Sequence, residues 1–288
     1  MIDLLLAILG SASLPVLFRA FDDWRVNILW AIPANYVTCI VVGSIFTGNQ
    51  LDFLSLVSQP WIPFAILQGI ILAGNFFLLA YTAQRAGVSV AALASRLSVA
   101  IPSILAFVLY DDSLNFLKMV GLLLALLSLY LCTVSDSKNS TAQRVSHTVL
   151  PVLVFVTFGC YFSILKYVQT YYLDATSYHV YVMSSFIFAF LTSLIIVLTR
   201  GLLVSAEFRL AHLVAGVLLG LINYVAIYSL VRVLGLEGWE SSQLFPIYSV
   251  GVVAVSSLLA VFFFRERLSR VKTTGLLIGI IAVALLNR

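Results

Sequence analysis

The chain has 288 residues, of which 62% are hydrophobic and 10% are charged, and its formal net charge is +4. Soluble domains are about 45–50% apolar and about 25% charged. The composition therefore excludes an ordinary soluble protein and predicts an integral membrane protein with room for about ten helical spans. The basic residues form no cluster with aromatic residues, which argues against a nucleic-acid partner. They are better interpreted as signals of membrane topology.

Apolar runs of spanning length predict ten transmembrane helices. In chain order the predicted spans are 3–20, 27–47, 61–82, 87–109, 114–134, 148–170, 178–199, 210–232, 242–264 and 270–286. The first run has neither a basic region before it nor a convincing cleavage site, so we expect it to be a retained span. The longest polar stretch, 135–147, predicts a linker between a first half, residues 1–134, and a second half, residues 148–288. Because each half has five helices, the two would enter the membrane from opposite sides.

A repeated pattern supports this division into halves. SILAFVLYDDSL begins at Ser103, SLLAVFFFRERL begins at Ser257, and each copy is followed by a Gly-Leu-Leu motif, at Gly121 and Gly275. Each copy is an apolar helix, a short charged turn and a second apolar helix. Internal duplication in so apolar a chain is typical of transporters built from inverted repeats, which form a pocket near the bilayer midplane. The predicted fold class is an all-α integral membrane protein of two inverted five-helix repeats.

The distribution of basic residues predicts the orientation of the chain. The larger group lies on one side of the predicted spans and consists of Arg19, Arg25, Arg85, Lys138, Arg144, Arg200, Arg209, Arg265, Arg267, Arg270 and Lys272. The other side has Lys118, Lys166, Arg232 and Arg288. Since cytoplasmic loops carry the excess of lysine and arginine, this asymmetry places both termini outside. The membrane expected is a bacterial inner membrane.

Arg96 is the strongest chemical signal in the sequence, because it falls inside the fourth predicted span. An arginine at the centre of a membrane helix costs about 2.5–3.5 kcal/mol on insertion scales, so it should face a partner or a wet cavity. Its planar guanidinium could bind a carboxylate or phosphate through two hydrogen bonds. The alternative is a structural arginine bonded to helix carbonyls or to an internal acid.

Amide side chains provide further candidates for binding a substrate. Gln68 and Asn75 are seven residues apart in the third predicted span, a spacing that keeps them on one helix face, and Asn223 occupies the eighth span. Serines recur at the same spacing in the fourth and ninth spans. Hydrogen bonding between helices is the alternative function for all of these polar residues.

Tyrosines and prolines complete the predicted site. Tyr81, Tyr224, Tyr228 and Tyr248, together with Tyr161, could line a pocket with stacking faces and hydroxyl donors, although aromatic residues also face lipid. Pro102 in the fourth span and Pro246 in the ninth can kink their helices and are predicted hinges. Small-residue pairs, such as Gly216 with Gly220, predict close helix packing.

Signals for catalysis or for a cofactor are absent from the sequence. It contains no HExxH motif, no nucleophile elbow and no Walker phosphate loop. Cys39, Cys132 and Cys160 lack metal-ligand spacing and are expected to be packing residues. We therefore predict a non-enzyme without a cofactor or metal. Transport would be driven by a gradient or by exchange rather than by a built-in ATPase.

Several segments resemble a known family. The acidic-Xaa-Leu turns Asp112 to Leu114 and Glu266 to Leu268, the stretch NFFLLAYTAQRAGVSVAALASRLS from Asn75 and the stretch LFPIYSVGVVAV from Leu244 are similar to EamA-type repeats of the drug/metabolite transporter superfamily. The resemblance covers nearly the whole chain in the number and order of spans. It implies a ten-helix carrier of amino acids, nucleotide sugars, phosphorylated sugars, choline-like amines or other small metabolites.

Together these patterns predict a secondary transporter, an exporter or exchanger, that moves a small polar metabolite by alternating access. An amino acid or another carboxylate-bearing compound would satisfy both Arg96 and the tyrosines, while a phosphorylated sugar or an amine is the alternative substrate. A non-transporting membrane scaffold or a lipid-handling protein is the competing class. The expected partners are the substrate and the lipid bilayer, and the chain is expected to act as a monomer.

Overall fold

The protein is represented by a computed structural model that describes residues 2–47, 58–102, 105, 116–134, 141–173, 177–201, 209–234, 241–265 and 269–286. Within these ranges the backbone forms helices joined by short turns and contains no β-strand. The predicted all-α class is confirmed for this part of the chain. The charged turn of the first repeat copy and the turn Glu266 to Leu268 lie outside the described residues.

The helices follow the predicted spans in order. They are α1 (Ile2–Asp23), α2 (Ile28–Thr47), α3 (Ile62–Ala86), α4 (Val88–Leu97), α5 (Phe116–Val134), α6 (Thr141–Tyr171), α7 (Tyr178–Gly201), α8 (Leu210–Leu234), α9 (Ser241–Phe264) and α10 (Arg270–Leu286). Helix α6 begins inside the predicted linker 135–147, so the second part of that linker is helical. Among the described residues, α1, α2, α3, α6, α7 and α8 contain segments that are long and apolar enough to cross a membrane.

The outer surface of the bundle is apolar. Large aliphatic side chains such as Leu5, Val41, Ile195 and Val214 are more than half exposed. Soluble monomers rarely expose contiguous apolar patches of more than a few hundred Å². Conversely, Asn35, Gln68 and other polar side chains are buried inside. The chain therefore has the architecture of a multi-pass helical membrane protein, with lipid as the solvent of its outer surface.

Helix packing relates the two halves of the chain. Helix α5 packs along α10, α2 along α8, and α3 along α7. In the same way α1 packs along α8, and α6 along α3. Suppose that each of α1–α5 is exchanged with the helix five positions later in the chain. The pair α5–α10 then maps onto itself, α2–α8 maps onto α3–α7, and α1–α8 maps onto α3–α6. Two halves related by a twofold axis would pack in this way.

Glycines allow some of these pairs to approach closely. A Cβ atom at Gly216 of α8 would lie 2.5 Å from the backbone oxygen of Ala31 in α2. At Gly69 of α3, it would lie 2.7 Å from the amide nitrogen of Ala189 in α7. Small residues permit such backbone approach between membrane helices. The contact at Gly216 agrees with the packing expected of the Gly216–Gly220 pair.

The two ends of the bundle have different polar contacts. We call the end where α1 begins and α8 ends the N-terminal face, and the end where α1 and α3 end the opposite face. At the N-terminal face, an ion pair joins Arg232 Nη2 to Asp3 Oδ2 over 3.6 Å. At the opposite face, Arg19 Nη1 donates to the Gln84 carbonyl over 3.0 Å and Gln84 Nε2 donates to the Phe18 carbonyl over 3.1 Å. These crossed hydrogen bonds tie the ends of α1 and α3 together.

Helix α4 ends next to Arg96, because the chain turns at Ser98 and Val99. The Val99 amide donates to the Arg96 carbonyl over 3.3 Å, and the Ile101 amide donates to the Ser98 carbonyl over 3.0 Å. This is the tighter i to i−3 pattern. Pro102 lacks an amide hydrogen, and its ring conflicts with the carbonyl of Ser98 four residues earlier. The turn lies just before Pro102, where the sequence predicts a kink.

Candidate functional site

Arg96 lies inside the bundle, and its side chain is covered by aromatic rings. The residue is 6% exposed. Its guanidinium carbon lies 4.8 Å from the centre of the Tyr248 ring, in α9, and 5.9 Å from that of Phe162, in α6. Such cation–π contacts contribute about 2 kcal/mol or more when the pair is removed from water. They stabilise the positive charge but do not use the N–H donors of the guanidinium.

Two of the three guanidinium nitrogens of Arg96 are available to donate to a ligand. Within the described part of the chain, neither Nε nor Nη1 has a hydrogen-bond acceptor. The ion pairs that the structure describes join Arg19 to Asp22 and Arg232 to Asp3, so neither neutralises Arg96. A buried charge without a partner costs several kcal/mol. An anion bound beside Arg96 would remove most of that cost, which makes this the strongest candidate for a substrate site.

Two neighbouring tyrosines connect Arg96 to the rest of the interior. The Tyr248 hydroxyl lies 2.5 Å from Ser11 Oγ in α1, which fixes the ring over the guanidinium. Tyr161 of α6 interacts electrostatically with both Arg96 and Tyr248, and its backbone carbonyl accepts a hydrogen bond from Gln68 of α3. Residues from α1, α3, α4, α6 and α9 therefore converge around one cation.

The amides of α3 present acceptors to this interior. Gln68 Nε2 lies 3.4 Å from the Tyr161 carbonyl, and Asn75 Nδ2 lies 3.5 Å from the Thr157 carbonyl. Because a backbone carbonyl can only accept, these contacts fix which way each amide points. Gln68 Oε1 and Asn75 Oδ1 have no donor among the described residues. A ligand with an N–H or O–H group could therefore bind to them.

Asn223 belongs to a different cluster from the one around Arg96. Its Nδ2 atom donates to Asn35 Oδ1 over 3.1 Å and lies 3.6 Å from Cys39 Sγ. The Cys39 thiol also donates to the Gly220 carbonyl over 3.3 Å. These contacts join α2 to α8 beside the close glycine contacts. Asn223 therefore lies in the contact between α2 and α8, where its Oδ1 atom has no donor among the described residues.

A larger cavity opens toward the N-terminal face. Its volume is about 220 Å³, and it is lined by Tyr178, His179, Val182, Tyr224, Tyr228, Val231 and Arg232. The rings of Tyr224 and Tyr228 stack with centroids 5.7 Å apart and an angle of 7° between their planes. His179 packs on Tyr228 at 4.9 Å. We call this space the mouth cavity.

A narrow space lies between the mouth cavity and the Arg96 site. Its volume is about 10 Å³, which is at the lower limit for one water molecule. Its lining consists of Gln68, Leu72, Tyr161, Leu165, Tyr181, Val182, Ser185, Phe186 and Ile227. Val182 borders both spaces, and Tyr161 borders both this space and the Arg96 site. We call it the constriction. In this conformation it is too small to let a metabolite pass.

The structure separates the residues predicted from the sequence. Arg96 and Tyr248 form the inner site, Gln68 lies at the constriction, and Tyr224 with Tyr228 lines the mouth cavity. Tyr81 is 37% exposed, contacts Arg85 in a cation–π pair at 5.8 Å, and lines neither described space. We exclude it from the candidate site. The side chain of Pro246 lies outside the described residues.

Sequence reasoning missed several residues around the inner site and the constriction. Phe162 covers one face of Arg96, Ser11 positions Tyr248, and Tyr181 lines the constriction. Phe162 follows Tyr161, which the sequence did indicate, but nothing in an apolar run distinguishes a ring that faces a cation from one that faces lipid. Ser11 and Tyr181 have no charge or spacing that would identify them.

The comparisons with known proteins define the fold and leave the function open. No protein-family profile matches the chain. An uncharacterised protein from Haemophilus influenzae (strain ATCC 51907 / DSM 11121 / KW20 / Rd) is 22% identical over 285 residues, which cover 98% of this chain and 96% of that protein. A protein of known crystal structure has a TM-score of 0.65 at 16% identity, covering 99% of this chain and 94% of that one. At this level of identity the likeness shows a shared fold over nearly the full length.

Proposed function

We propose that the chain is a secondary transporter of a small carboxylate-bearing metabolite, such as an amino acid, and that it works by alternating access. The observation that carries the proposal is the buried, ring-covered Arg96, whose Nε and Nη1 atoms have no acceptor in the described structure. A permanently empty site of this kind would only destabilise the protein. A site that a substrate anion fills and leaves in each cycle explains why the charge is present.

The proposed fold is a ten-span bundle of two inverted five-helix halves, residues 1–134 and 148–288, as in EamA-type members of the drug/metabolite transporter superfamily. The reciprocal pairings α2 with α8 and α3 with α7 support it, because a twofold relation between the halves interchanges them. Inverted repeats place their binding site near the midplane, at the interface of the halves. Arg96 of the first half and Tyr248 of the second meet at such an interface.

The roles of individual residues follow from their free atoms. Arg96 would bind the carboxylate through its unpaired donors, with Tyr248 and Phe162 holding the guanidinium in place. The free oxygen of Asn75 or that of Gln68, which lie about 10 Å apart along α3, would accept a hydrogen bond from an amino or hydroxyl group of the substrate. An amino acid offers both kinds of group, whereas a quaternary amine such as choline offers no anion.

Alternating access requires the constriction to open and the opposite face to open at a different time. The turn at Ser98 and Val99, next to Arg96, is a natural point of bending because Pro102 removes a backbone hydrogen bond there. Pro246 occupies a comparable place in α9 of the other half. We propose that these two positions act as hinges.

The proposed orientation follows the charge asymmetry and places both termini outside a bacterial inner membrane. In that orientation the mouth cavity faces outward and the crossed hydrogen bonds at Arg19 and Gln84 close the cytoplasmic side. The described interior contains no acidic residue beside Arg96. This favours exchange or facilitated transport over coupling to protons.

Uptake into proteoliposomes tests the proposal directly. The purified full-length chain would be reconstituted and supplied in turn with radiolabelled alanine, glutamate, phenylalanine, glucose 6-phosphate and choline. We expect at least one amino acid to enter faster than into protein-free vesicles, and preloading with the same compound to accelerate its entry. The Arg96→Gln variant should abolish that uptake.

Three results would overturn the proposal. They are no movement of any compound, movement of choline alone, and an Arg96→Gln variant as active as the unmodified chain. Reconstitution with fluorescent phosphatidylcholine provides the matched assay for the competing class. Lipid exchange between leaflets without solute uptake would assign the chain to lipid handling instead.

A further inference from the structure

The mouth cavity contains a second set of groups suited to an anion. Arg232 ends α8 at the rim, and His179 at the start of α7 lines the same space. The stacked rings of Tyr224 and Tyr228 form its wall, and the Arg232 guanidinium carbon lies 5.9 Å from the Tyr228 ring centre. The volume of about 220 Å³ is large enough for a small organic acid.

Arg232 already binds a carboxylate in this structure, and that carboxylate belongs to the chain itself. Asp3 Oδ2 lies 3.6 Å from Arg232 Nη2, longer than the 2.7–2.9 Å typical of a charge-assisted hydrogen bond. The two side chains are 24% and 56% exposed. Exposed ion pairs contribute little to stability. A soluble carboxylate can therefore replace Asp3 at little cost.

We propose that the mouth cavity is a second anion-binding site, where Arg232 and His179 hold the carboxylate of the substrate before it reaches Arg96. When no anion is bound, the Asp3 carboxylate forms an ion pair with Arg232. The role of this site in transport rests on the proposed function, whereas its ability to bind a carboxylate does not. The constriction separates the two sites, so the anion binds at the mouth before the inner site becomes accessible.

Charged thiol reagents measure the proposed attraction without any knowledge of the transported compound. Val231 lines the mouth cavity and is 7% exposed. A Val231→Cys variant would be made in a full-length chain that also carries Cys132→Ala and Cys160→Ala. In detergent, its modification rates by an anionic sulfonatoethyl and a cationic trimethylammonioethyl methanethiosulfonate are compared. The same chain without Val231→Cys corrects for reaction at buried Cys39.

Opposite changes are expected from the two partners of the ion pair. Arg232→Gln should lower the ratio of anionic to cationic modification rates about tenfold, because a unit charge a few Å away shifts the local concentration of a charged reagent by about that factor. Asp3→Asn should raise the ratio, since it frees Arg232. Arg96→Gln should leave it unchanged, because the constriction separates Arg96 from the mouth. Benzoate should slow modification, and Arg232→Gln should remove this protection.

Several outcomes would overturn the second site. An unchanged rate ratio in Arg232→Gln shows that the cavity does not attract anions. A changed ratio without protection by benzoate shows a charged rim rather than a binding site. Protection by phosphatidylglycerol micelles in place of benzoate assigns the cavity to a lipid headgroup. Failure of uptake across the whole panel, with benzoate protection intact, removes the transport proposal and leaves the anion site standing.

Discussion

Arg96 and Arg232 show how the same side chain behaves in two regions of one protein. Arg96 is buried between two rings with donors that no described residue accepts from, whereas Arg232 is exposed at the rim and paired with Asp3. The inner charge gains little from solvent, so a bound anion would determine its energy. The outer charge is screened by water and salt, so its partners are interchangeable. In the proposed transporter, the buried arginine would therefore select the substrate, and the exposed arginine would bind it first.

Replacing Arg96 should have the largest effect on transport, because it removes the buried member of this pair of arginines. We expect Arg96→Gln to lower uptake at least 100-fold, because the anion loses about 3 kcal/mol or more of charge-assisted hydrogen bonding. The melting temperature should stay the same or rise, since an unpaired buried charge is removed. Arg96→Lys is the matched control, which keeps the charge but not the planar pair of donors. Equal loss of stability and uptake in Arg96→Gln would identify a structural arginine instead.

The constriction depends on the close approach of α3 and α7. Gly69→Ala should reduce the free energy of unfolding by about 1–3 kcal/mol, because its Cβ would press on the backbone of Ser185 and Ala189. Gly74→Ala is the matched control, since nothing lies within 4 Å of its Cβ position. Denaturant titration in detergent measures both. Equal effects at the two glycines would show that α3 and α7 are not in this close contact.

The aromatic cover of Arg96 has a smaller expected effect. Tyr248→Leu should reduce uptake about tenfold, because it removes the closer of the two cation–π contacts, while Tyr248→Phe should reduce it less. The phenylalanine keeps the ring and loses only the hydrogen bond to Ser11. Initial uptake rates measured at saturating and low substrate concentration compare the two variants. If Tyr248→Phe is the more damaged, the hydroxyl group and not the ring is the important contact.

Replacing Pro102 should remove the break that ends α4 after Arg96. Pro102→Ala restores a backbone donor and should let α4 continue through Ser98, which stiffens the proposed hinge. We expect uptake to slow by about fivefold, with unchanged amounts of protein in the membrane. Transport at the normal rate in Pro102→Ala would remove the hinge proposal for this position.

Arg232 should produce the smallest change in transport. Arg232→Gln is expected to raise KM about two- to threefold and leave the maximal rate unaffected, and the difference from the unmodified chain should shrink at high salt. Tyr81→Ala is the matched control in the same helix bundle and should match the unmodified chain. A fall in the maximal rate of Arg232→Gln would place Arg232 in the transport step itself.

Much of the fold follows from the sequence because membrane helices need long apolar runs. The order and position of the helices and the packing role of Gly216 could be predicted from hydropathy and composition. The break after Arg96 could also have been predicted, because Pro102 conflicts with the carbonyl of Ser98.

The site was only partly predictable, because hydropathy does not show how far one helix is shifted along its neighbour. Arg96 was identifiable as a lone charge in an apolar run, and the contact of Tyr224 with Tyr228 follows from their i, i+4 spacing. Their distance from Arg96 could not be predicted in this way. Tyr81 could have been excluded, since it follows Asn75 by six residues, roughly 240° around the helix.

The crossed hydrogen bonds between Arg19, Gln84 and Phe18 have a consequence for the resting protein. Both must break whenever the ends of α1 and α3 separate, and together they are worth about 2–4 kcal/mol. By the Boltzmann relation, each 1.4 kcal/mol changes a ratio of populations tenfold. Almost all molecules without bound substrate would then have the mouth cavity open to solvent. The chain would thus bind substrate from one side without any ion gradient. Gln84→Ala should lower the fraction of molecules whose mouth cavity is accessible to a solvent probe.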